Sequence, residues 1–396
     1  MLLPFRRQRR AFAVYAFICI LIIYTITQVL PRSRAASPSA SARSSWSLTN
    51  QFNVRFPGHA RSAPFDSEIA LTRKVGSDQK EIQYLKGIVQ GIQQNNTVII
   101  VPTDSEFLHL ALNFDCRMRM LNIRNLLYWL RDDISARRLG QQEVQFYYHP
   151  ELAEKKTPRA KDAETSVRAS HTAITEAHIR LLRMVLSTGY NVLFLDPHTA
   201  ILKNPLEALQ YDADLEGQID EVTIEDAENE GKCPQMGAGA FYMKANPRTL
   251  RLLDRMEMAP HDYFSVQDNH ILNHFLHDYT FSRILNRYET LSDGLHPAVP
   301  YGGHVTENDD RLVVRFINAD TFLNGAIWRN SVETLPGGTR MVLKERQGKS
   351  IREFEPALMH LSGVYAPAAK EWVFKELGWW SLNEDLICLS PKATVL

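Results

Sequence analysis

Segments of helical periodicity alternate with short apolar segments along most of this 396-residue chain. Apolar residues recur at helical spacing over 78–92 and over 172–188, whereas Val98–Val101 and Asn191–Leu195 are apolar runs typical of buried strands. Such alternation predicts an α/β fold in which helices cover a mainly parallel sheet. Ligands of these sheets bind beyond the carboxyl ends of the strands, so polar residues that follow a strand are the first candidates for a site.

Residue types also indicate where two helices end and begin. Gly189 follows the helix over 172–188, at a position where a left-handed residue commonly ends a helix. Asn246 and Pro247 combine an N-cap with a proline in the first helical turn, which predicts a helix that ends near Met258. A helix over 105–120 and a strand within 143–149 are predicted from their apolar patterns.

The N-terminal part of the chain predicts a membrane anchor. Residues 11–30 contain no charged side chain, and a helix of about 20 residues spans a hydrocarbon core of about 30 Å. Four arginines within residues 1–10 favour a cytoplasmic tail there, with a transmembrane signal anchor over 11–30. A cleaved signal peptide is the alternative, because Ser33-Arg34-Ala35 resembles a cleavage site.

Composition divides the rest of the chain and limits its partners. Residues 31–75 are rich in Ser, Ala, Pro and Arg and predict a flexible stem, which leaves 76–396 as the folded domain. The 45 basic residues equal the 45 acidic ones, which argues against nucleic-acid binding through bulk charge. The run over 212–230 has nine acidic residues and no basic one, and it predicts a solvated loop.

Cysteines and one sequon bear on the compartment. Cys116, Cys233 and Cys388 follow the anchor and allow one disulfide with a remaining thiol, or no disulfide at all. Their spacing matches no zinc module. Asn95 begins an Asn-x-Thr sequon, a weak signal for glycosylation.

The strand Asn191–Leu195 runs directly into Asp196, Pro197 and His198. Side chains two residues apart in an extended segment point to the same face, and Pro197 biases Asp196 towards an extended backbone. A carboxylate and an imidazole together suit a divalent cation such as Mn²⁺. The spacing therefore predicts a metal site, with a turn-capping Asp196 and a surface His198 as the alternative.

The residues 189–209 around this motif, "GYNVLFLDPHTAILKNPLEAL", resemble the core of the nucleotide-diphospho-sugar transferase family, which includes the rhamnogalacturonan xylosyltransferases. Four further segments resemble family motifs in the same order: "TVIIVPTDSEFLHLALNF", "GAGAFYMKANPRTLRLLDRM", "VQDNHILNHFL" and "ALMHLSGVYAPAAKEWVFKELGWW". The resemblance covers about 96–380. It implies a GT-A, Rossmann-like fold behind the single N-terminal transmembrane helix.

One position departs from the family pattern. The second aspartate of the family's Asp-x-Asp is His198 here, and Asp-x-His is the form found in the polypeptide N-acetylgalactosaminyltransferases, which are GT-A enzymes that use manganese. The resemblance therefore implies a metal set of Asp196, His198 and His360 for Mn²⁺ or another divalent cation. A buried core histidine is the alternative for His360.

The resemblance also assigns residues to the nucleotide-sugar donor. The segment "HLSGVYAPAAK" implies that Gly363 and Lys370 lie at the donor diphosphate, and Asp104 is expected near the nucleoside because it follows the first strand. Asp268 is the catalytic candidate, expected to hydrogen-bond the donor or acceptor sugar, with a structural cap as the alternative. Weaker candidates are two arginines for the diphosphate, Arg180 and Arg183, with solvated surface arginines as the alternative. Gly237 and Gly239 are candidates for close backbone approach to a sugar, with a bulge or tight packing as the alternative.

These expectations together predict a Golgi type II membrane glycosyltransferase. It would transfer a sugar from a nucleotide-diphospho-sugar, a UDP-sugar by resemblance, to a glycan or glycoprotein acceptor, with no nucleic-acid partner. The alternative, motivated by His198, is a catalytically silent relative that binds a glycan or scaffolds other Golgi transferases. A metal-dependent hydrolase ranks last, because no nucleophile or second carboxylate pair stands out.

Overall fold

The computed structural model describes residues 78–140, 144–149, 152, 163–220, 234–259, 268–278, 280–285, 310–335, 338–343, 355–364 and 366–389. The predicted tail, anchor and stem all lie outside these residues. Within the described part of the chain, no helix is long and apolar enough to cross a membrane.

The first half of the described chain alternates helices and strands as the sequence predicts. Its elements are α1 (Asp78–Ile92), β1 (Thr97–Thr103), α2 (Leu108–Met120), β2 (Leu126–Leu130), α3 (Asp133–Gly140), β3 (Phe146–Tyr148), α4 (Ala163–Leu186) and β4 (Asn191–Leu195). Gly189 has a φ of 92°, which confirms the left-handed residue predicted after α4. The strand β2 and the helix α3 have no counterpart among the sequence-based predictions.

The second half contains more strands than the sequence indicates. Its elements are β5 (Thr199–Ile201), a 3₁₀ turn (Pro205–Ala208), β6 (Leu215–Ile219), β7 (Met236–Met243), α5 (Pro247–Glu257), α6 (Asp268–Leu276), β8 (Ser282–Leu285), β9 (Leu312–Phe316), β10 (Phe322–Asn324), α7 (Gly325–Trp328), β11 (Arg329–Leu335), β12 (Gly338–Leu343), β13 (Leu358–His360) and α8 (Pro367–Glu376). The predicted N-cap is confirmed, because the Asn246 side chain accepts hydrogen bonds from the backbone N–H groups of Arg248 and Thr249.

The large sheet is mixed and has the strand order β3-β2-β1-β4-β7-β6-β9-β8. The strands β3, β2, β1 and β4 are parallel to one another, as are β6, β9 and β8. The strand β7 is antiparallel to both of its neighbours and joins the two groups. The expectation of an α/β fold with a mainly parallel sheet is therefore confirmed, with β7 as the exception.

Two apolar clusters cover the two faces of this sheet. Val98 and Ile100 of β1 belong to one cluster, and Ile99 and Val101 to the other, because successive strand residues point to opposite faces. The helices α1, α4, α5 and α6 contribute to the first cluster, and α2 and α3 to the second. A parallel strand buried on both faces is apolar at successive positions, which explains the uninterrupted apolar run.

A second, three-stranded sheet has the order β10-β13-β5. The strand β13 is parallel to β10 and antiparallel to β5, with His360 opposite Thr199. Because β5 directly follows the segment Asp196–His198, this register brings the end of β13 to the end of β4. The small sheet thus joins two parts of the chain that are far apart in sequence.

The prediction of a solvated acidic loop is wrong for residues 215–219, which form the fully buried strand β6. Four acidic side chains lie around and within this strand, and each has its own hydrogen-bond partners. Asn269 donates to Asp220 after the strand. Arg315 donates to Asp212, Asn246, Arg248 and the backbone of Val313 donate to Asp214, and the backbone of Gln210 and Tyr211 donates to Glu216. Burial raises the pKa of Glu216.

The cysteine question left open by the sequence is answered for the described residues. Cys116 of α2 and Cys388 of the C-terminal segment form a disulfide that links positions 272 residues apart. Nearby, Asn113 of α2 accepts a hydrogen bond from the backbone of Ser381. The C-terminal segment is therefore joined to the helix that follows the first strand. Cys233 lies outside the described residues.

Candidate metal and donor site

Three elements bring Asp196, His198 and His360 to one place. The backbone N–H of Asp196, at the end of β4, donates to the carbonyl of Gly239 in β7 at 2.9 Å. The backbone N–H of Thr199 then donates to the Asp196 carbonyl at 3.1 Å, which turns the chain into β5. His360 ends β13, the strand paired with β5, so the three side chains lie next to each other.

The distances among these side chains suit a shared cation. The Nε2 atom of His360 lies 3.2 Å from Oδ2 of Asp196, and the Nε2 atom of His198 lies 3.5 Å from the same oxygen. The two Nε2 atoms are 2.9 Å apart. Ligand atoms bound at about 2.1 Å to one tetrahedral or octahedral ion lie about 3 to 3.4 Å from one another. One carboxylate and two imidazoles are a donor set for a divalent transition metal.

Gly239 leaves the space that this cluster occupies. A Cβ atom at this position would lie 2.5 Å from Nε2 of His360 and 2.6 Å from Oδ2 of Asp196. Gly237, two residues earlier in β7, has more room, since the nearest atom to a Cβ there would be 3.6 Å away. Missing side-chain volume at residue 239 therefore serves the Asp196–His360 contact, which agrees with the alternative of tight packing at this glycine. Close approach of the backbone to a sugar stays a prediction.

The imidazole of His360 is held from its other side by Gln218 of β6. The Nδ1 atom of His360 lies 3.2 Å from Oε1 of Gln218. The Gln218 amide nitrogen donates to the carbonyls of Phe322 and Leu323 in β10, at 3.2 and 2.6 Å. His360 is 6% exposed and Gln218 is fully buried. Sequence reasoning missed Gln218, because it lies in the acidic run over 212–230.

The imidazole of His198 is neutral at physiological pH. Burial lowers its pKa well below the usual range, and the nearby positive charges of Lys370 and Arg131 act in the same direction. Its ring lies 5.8 Å from the ring of Phe107, centroid to centroid. A neutral imidazole keeps a lone pair, which is the form that ligates a metal.

Lys370 of α8 lies beside the cluster and is 5% exposed. Its Nζ atom is 5.4 Å from the centre of the Phe107 ring. Burial lowers the pKa of Lys370 to about 8, against the opposing effect of the carboxylates of Asp196 and Glu106. A buried ammonium is a suitable partner for an anionic ligand.

Asp104 follows β1 and is 7% exposed. Its carboxylate accepts the backbone N–H groups of Glu106 and Phe107, each at 3.0 Å, and forms an ion pair with Arg131. These bonds fix the turn that presents Phe107 to His198 and Lys370. Contact of Asp104 with a nucleoside stays a prediction.

Gly363 has a φ of 72°, a left-handed conformation that favours glycine. Its carbonyl accepts a hydrogen bond from Nη1 of Arg329 at 2.5 Å. A Cβ atom at Gly363 would lie 2.7 Å from the same nitrogen. Arg329, at the start of β11, is therefore a second cation near the closing motif, and the sequence reasoning missed it.

Asp268 is the first residue of α6, and its side chain is outside the described part of the chain. The next residue, Asn269, donates to Asp220 at 2.6 Å, and Asn273 accepts the backbone N–H of Met236 at 2.7 Å. These bonds join α6 to the end of β6 and the start of β7. The catalytic assignment of Asp268 stays a prediction.

The two arginines of α4 have partners on neighbouring helices. Arg180 pairs with Asp78 of α1 at 2.8 Å, and Arg183 pairs with Asp254 of α5 at 2.6 Å. Both pairs are partly exposed and join helices of the first apolar cluster. Their role as diphosphate ligands has no support from these contacts.

The sequence model of a family described as nucleotide-diphospho-sugar transferase matches residues 121–372, which is more than half of the chain. No curated protein matches the sequence.

Solved structures of glycosyltransferases are similar at low identity. The apo structure of the bifunctional glycosyltransferase WbbM has 12% identity and a TM-score of 0.37, covering 67% of this chain and 46% of that one. The galactosyltransferase LgtC in complex with donor and acceptor sugar analogues has 13% identity and a TM-score of 0.35, covering 72% and 98%. An active-site mutant of LgtC has 12% identity and a TM-score of 0.37, covering 73% and 98%. The chain thus spans less than half the length of WbbM.

Proposed function

Because this chain belongs to the nucleotide-diphospho-sugar transferase family, a family of glycosyltransferases, we propose that it transfers a sugar from a nucleotide-diphospho-sugar to a glycan or glycoprotein acceptor. A UDP-sugar is the proposed donor, and Mn²⁺ is the proposed metal. The observation that carries the proposal is the convergence of Asp196, His198 and His360 at the carboxyl end of β4. Binding sites of parallel sheets lie at such strand ends.

In this proposal Asp196, His198 and His360 hold the cation. The donor set fits it, since a carboxylate oxygen and two imidazole nitrogens lie within 4.8 Å of one another and Gly239 leaves room for them. A divalent cation bound there would offset the negative charge that develops on the leaving nucleoside diphosphate.

Other residues of this chain are proposed to hold the donor. Lys370 would place its ammonium against the diphosphate, where a fixed charge stabilises the leaving group in a buried site. Gly363 would present its backbone to the same diphosphate from a left-handed turn, and Asp104 would lie towards the nucleoside. Asp268 would hydrogen-bond the donor or acceptor sugar from the start of α6.

We also propose a Golgi location with type II topology: a cytoplasmic tail over 1–10, a signal anchor over 11–30, a stem over 31–75 and a lumenal domain over 76–396. Two features support a lumenal domain. The Cys116–Cys388 disulfide is typical of oxidising compartments, and Asn95 of the sequon is exposed. Protein from a secretory cell line is expected to carry a glycan at Asn95 that an endoglycosidase removes. Its proteolytic digest is expected to contain the Cys116 and Cys388 peptides joined by a disulfide. Reduced cysteines and no glycan would contradict the location.

Donor binding tests the proposed activity. The full-length protein in detergent is incubated with a panel of nucleotide sugars and Mn²⁺, and donor hydrolysis and equilibrium binding are measured. At least one donor is expected to bind only when the metal is present, and to be hydrolysed slowly. Absence of binding to every donor, with Mn²⁺ bound to the protein, would contradict the enzymatic proposal.

The second candidate is a catalytically silent relative that binds a glycan or scaffolds other Golgi transferases. It is favoured by His198, which stands where the family has aspartate, and by the 2.9 Å separation that lets the two imidazoles hydrogen-bond each other directly. Metal binding separates the two candidates. A protein that binds glycans but neither Mn²⁺ nor any nucleotide sugar would be the silent relative.

A further inference from the structure

Gln218 is a buried polar residue in the middle of the large sheet. It lies on β6, is fully buried, and its side chain reaches out of the sheet towards the small sheet β10-β13-β5. Burial of an amide without partners is costly, so its hydrogen bonds define how it sits.

The neighbours of Gln218 allow one orientation of its amide. The carbonyl oxygens of Phe322 and Leu323 both face one end of the amide, at 3.2 and 2.6 Å, and carbonyls only accept hydrogen bonds. That end must be the NH₂ group, because the reverse orientation would bring three oxygens together. The amide oxygen is therefore the atom that faces His360.

The orientation of Gln218 decides which nitrogen of His360 carries the proton. An amide oxygen only accepts, so the Nδ1 atom of His360, 3.2 Å away, must be the donor. In a neutral imidazole the Nε2 atom then carries no proton, and its lone pair faces Oδ2 of Asp196 and Nε2 of His198. A proton on Nε2 of His360 would point at Oδ2 of Asp196, 3.2 Å away. The two atoms would then be hydrogen-bonded to each other, and the nitrogen would have no lone pair for a cation.

We infer that Gln218 is a positioning residue that selects the His360 tautomer able to bind a cation. The inference rests on the metal site of the proposed function and assigns a residue that supports it. Gln218 also ties β6 to β10, the strand beside β13, so it fixes the place of the imidazole as well as its proton. Loss of a hydrogen-bond partner of a metal-ligating histidine typically weakens metal binding by about 10- to 100-fold.

The tautomer is measured first, in the metal-free full-length protein. Solid-state NMR of protein labelled with ¹⁵N-histidine, with His360 assigned from the spectrum of His360→Gln, reports which nitrogen is protonated. The expected spectrum shows a protonated Nδ1 and an unprotonated Nε2 at His360. A proton on Nε2 in the wild type would overturn the inference.

The variant Gln218→Met keeps the side-chain length and removes both hydrogen-bonding groups. Its expected effects are loss of the Nδ1-protonated form of His360 and about 10- to 100-fold weaker Mn²⁺ binding, measured by electron paramagnetic resonance of the free ion. Asn113→Leu is the matched control. It removes a buried amide that bonds the backbone of Ser381, without contact to His360, and it should leave Mn²⁺ affinity unchanged.

Each result decides one question. Unchanged tautomer and affinity in Gln218→Met would overturn the inference, and an equal loss of affinity in Asn113→Leu would reduce the role of Gln218 to general stability. If Gln218→Met does not fold, the wild-type tautomer still decides. If the wild type binds no Mn²⁺ although His360 is protonated at Nδ1, the proposed function fails and the inferred role of Gln218 in setting the tautomer stands.

Discussion

The large sheet consists of two halves that are held together differently. In the half β3-β2-β1-β4, the strands are parallel and the buried side chains between them and the helices are mainly apolar. In the half β7-β6-β9-β8, buried charged and amide side chains occupy strand positions, among them Glu216, Gln218 and Arg315. Both halves pack apolar side chains against helices, and the second half adds directed hydrogen bonds from buried polar side chains.

This difference matters for the candidate site, which lies between the halves. Asp196 comes from the end of β4, in the apolar half. His360 takes its orientation from Gln218 of β6, and Gly239 of β7 leaves the space for both. Apolar packing is non-directional, whereas a hydrogen bond fixes the rotation of a ring. We therefore expect changes in the apolar half to alter stability, and changes in the polar half to alter the site.

The largest effect is expected from one methyl group at β7. Gly239→Ala would place a Cβ atom 2.5 Å from Nε2 of His360 and 2.6 Å from Oδ2 of Asp196, so Mn²⁺ binding should be lost. Gly237→Ala is the matched control, because its Cβ atom would be at least 3.6 Å from its neighbours. Isothermal titration with Mn²⁺ measures both. Normal affinity in Gly239→Ala would show that the three side chains are not the site.

A stability effect without a site effect is expected in the apolar half. Leu127 of β2 is 1% exposed, so Leu127→Ala should lower the free energy of unfolding by about 2–5 kcal/mol. Mn²⁺ affinity of the folded protein should not change. Denaturant unfolding and metal titration of the same preparation make the comparison. A large loss of Mn²⁺ affinity in folded Leu127→Ala would contradict the expectation that changes in the apolar half alter stability and leave the site unchanged.

The choice of metal provides a smaller and more selective effect. Two imidazoles and one carboxylate favour Co²⁺ and Zn²⁺ over Mn²⁺, and Mn²⁺ over Mg²⁺. His198→Asp exchanges a nitrogen ligand for an oxygen ligand, so affinity for Mg²⁺ relative to Co²⁺ should rise by about tenfold, or about 1.4 kcal/mol. Competition titrations give the ratio, and an unchanged ratio would exclude His198 as a ligand.

The smallest effect is a pH dependence carried by Lys370. Its pKa is lowered to about 8 by burial, so the side chain is cationic below that pH and neutral above it. Affinity for UDP in the presence of Mn²⁺ should therefore fall by about fivefold, or about 1 kcal/mol, as pH rises through about 8. Lys370→Arg should remove this step, because arginine stays charged. The same step in the arginine variant would assign it to another group.

The sequence was most informative where a signal is contiguous. The strand β4, the left-handed Gly189 and the placement of Asp196 and His198 on one side could all be predicted, because strand, turn and ligands lie within a few residues. His360 lies 162 residues after His198 and could be assigned only through the family resemblance. Its approach depends on the register between β13 and β5, which local composition does not encode.

The polar half could not be predicted for a related reason. Acidic residues over 212–220 are typical of a solvated loop, and their partners are remote: Arg315 is 103 positions from Asp212, and Arg248 is 34 positions from Asp214. Gln218 looks like part of the same loop, although its bonds reach β10 more than a hundred positions later. The direction of β7 was missed because an apolar run does not reveal whether a strand is parallel.

The most direct test of the proposed metal site is to identify the protein atoms that bind a Mn²⁺ ion. Electron spin echo spectroscopy of the full-length protein with Mn²⁺ detects histidine nitrogens bonded to the metal. We predict two coordinated histidine nitrogens in the wild type, one in His198→Ala and one in His360→Ala. A bound Mn²⁺ without histidine nitrogens, or with two of them in either variant, would contradict the site of Asp196, His198 and His360.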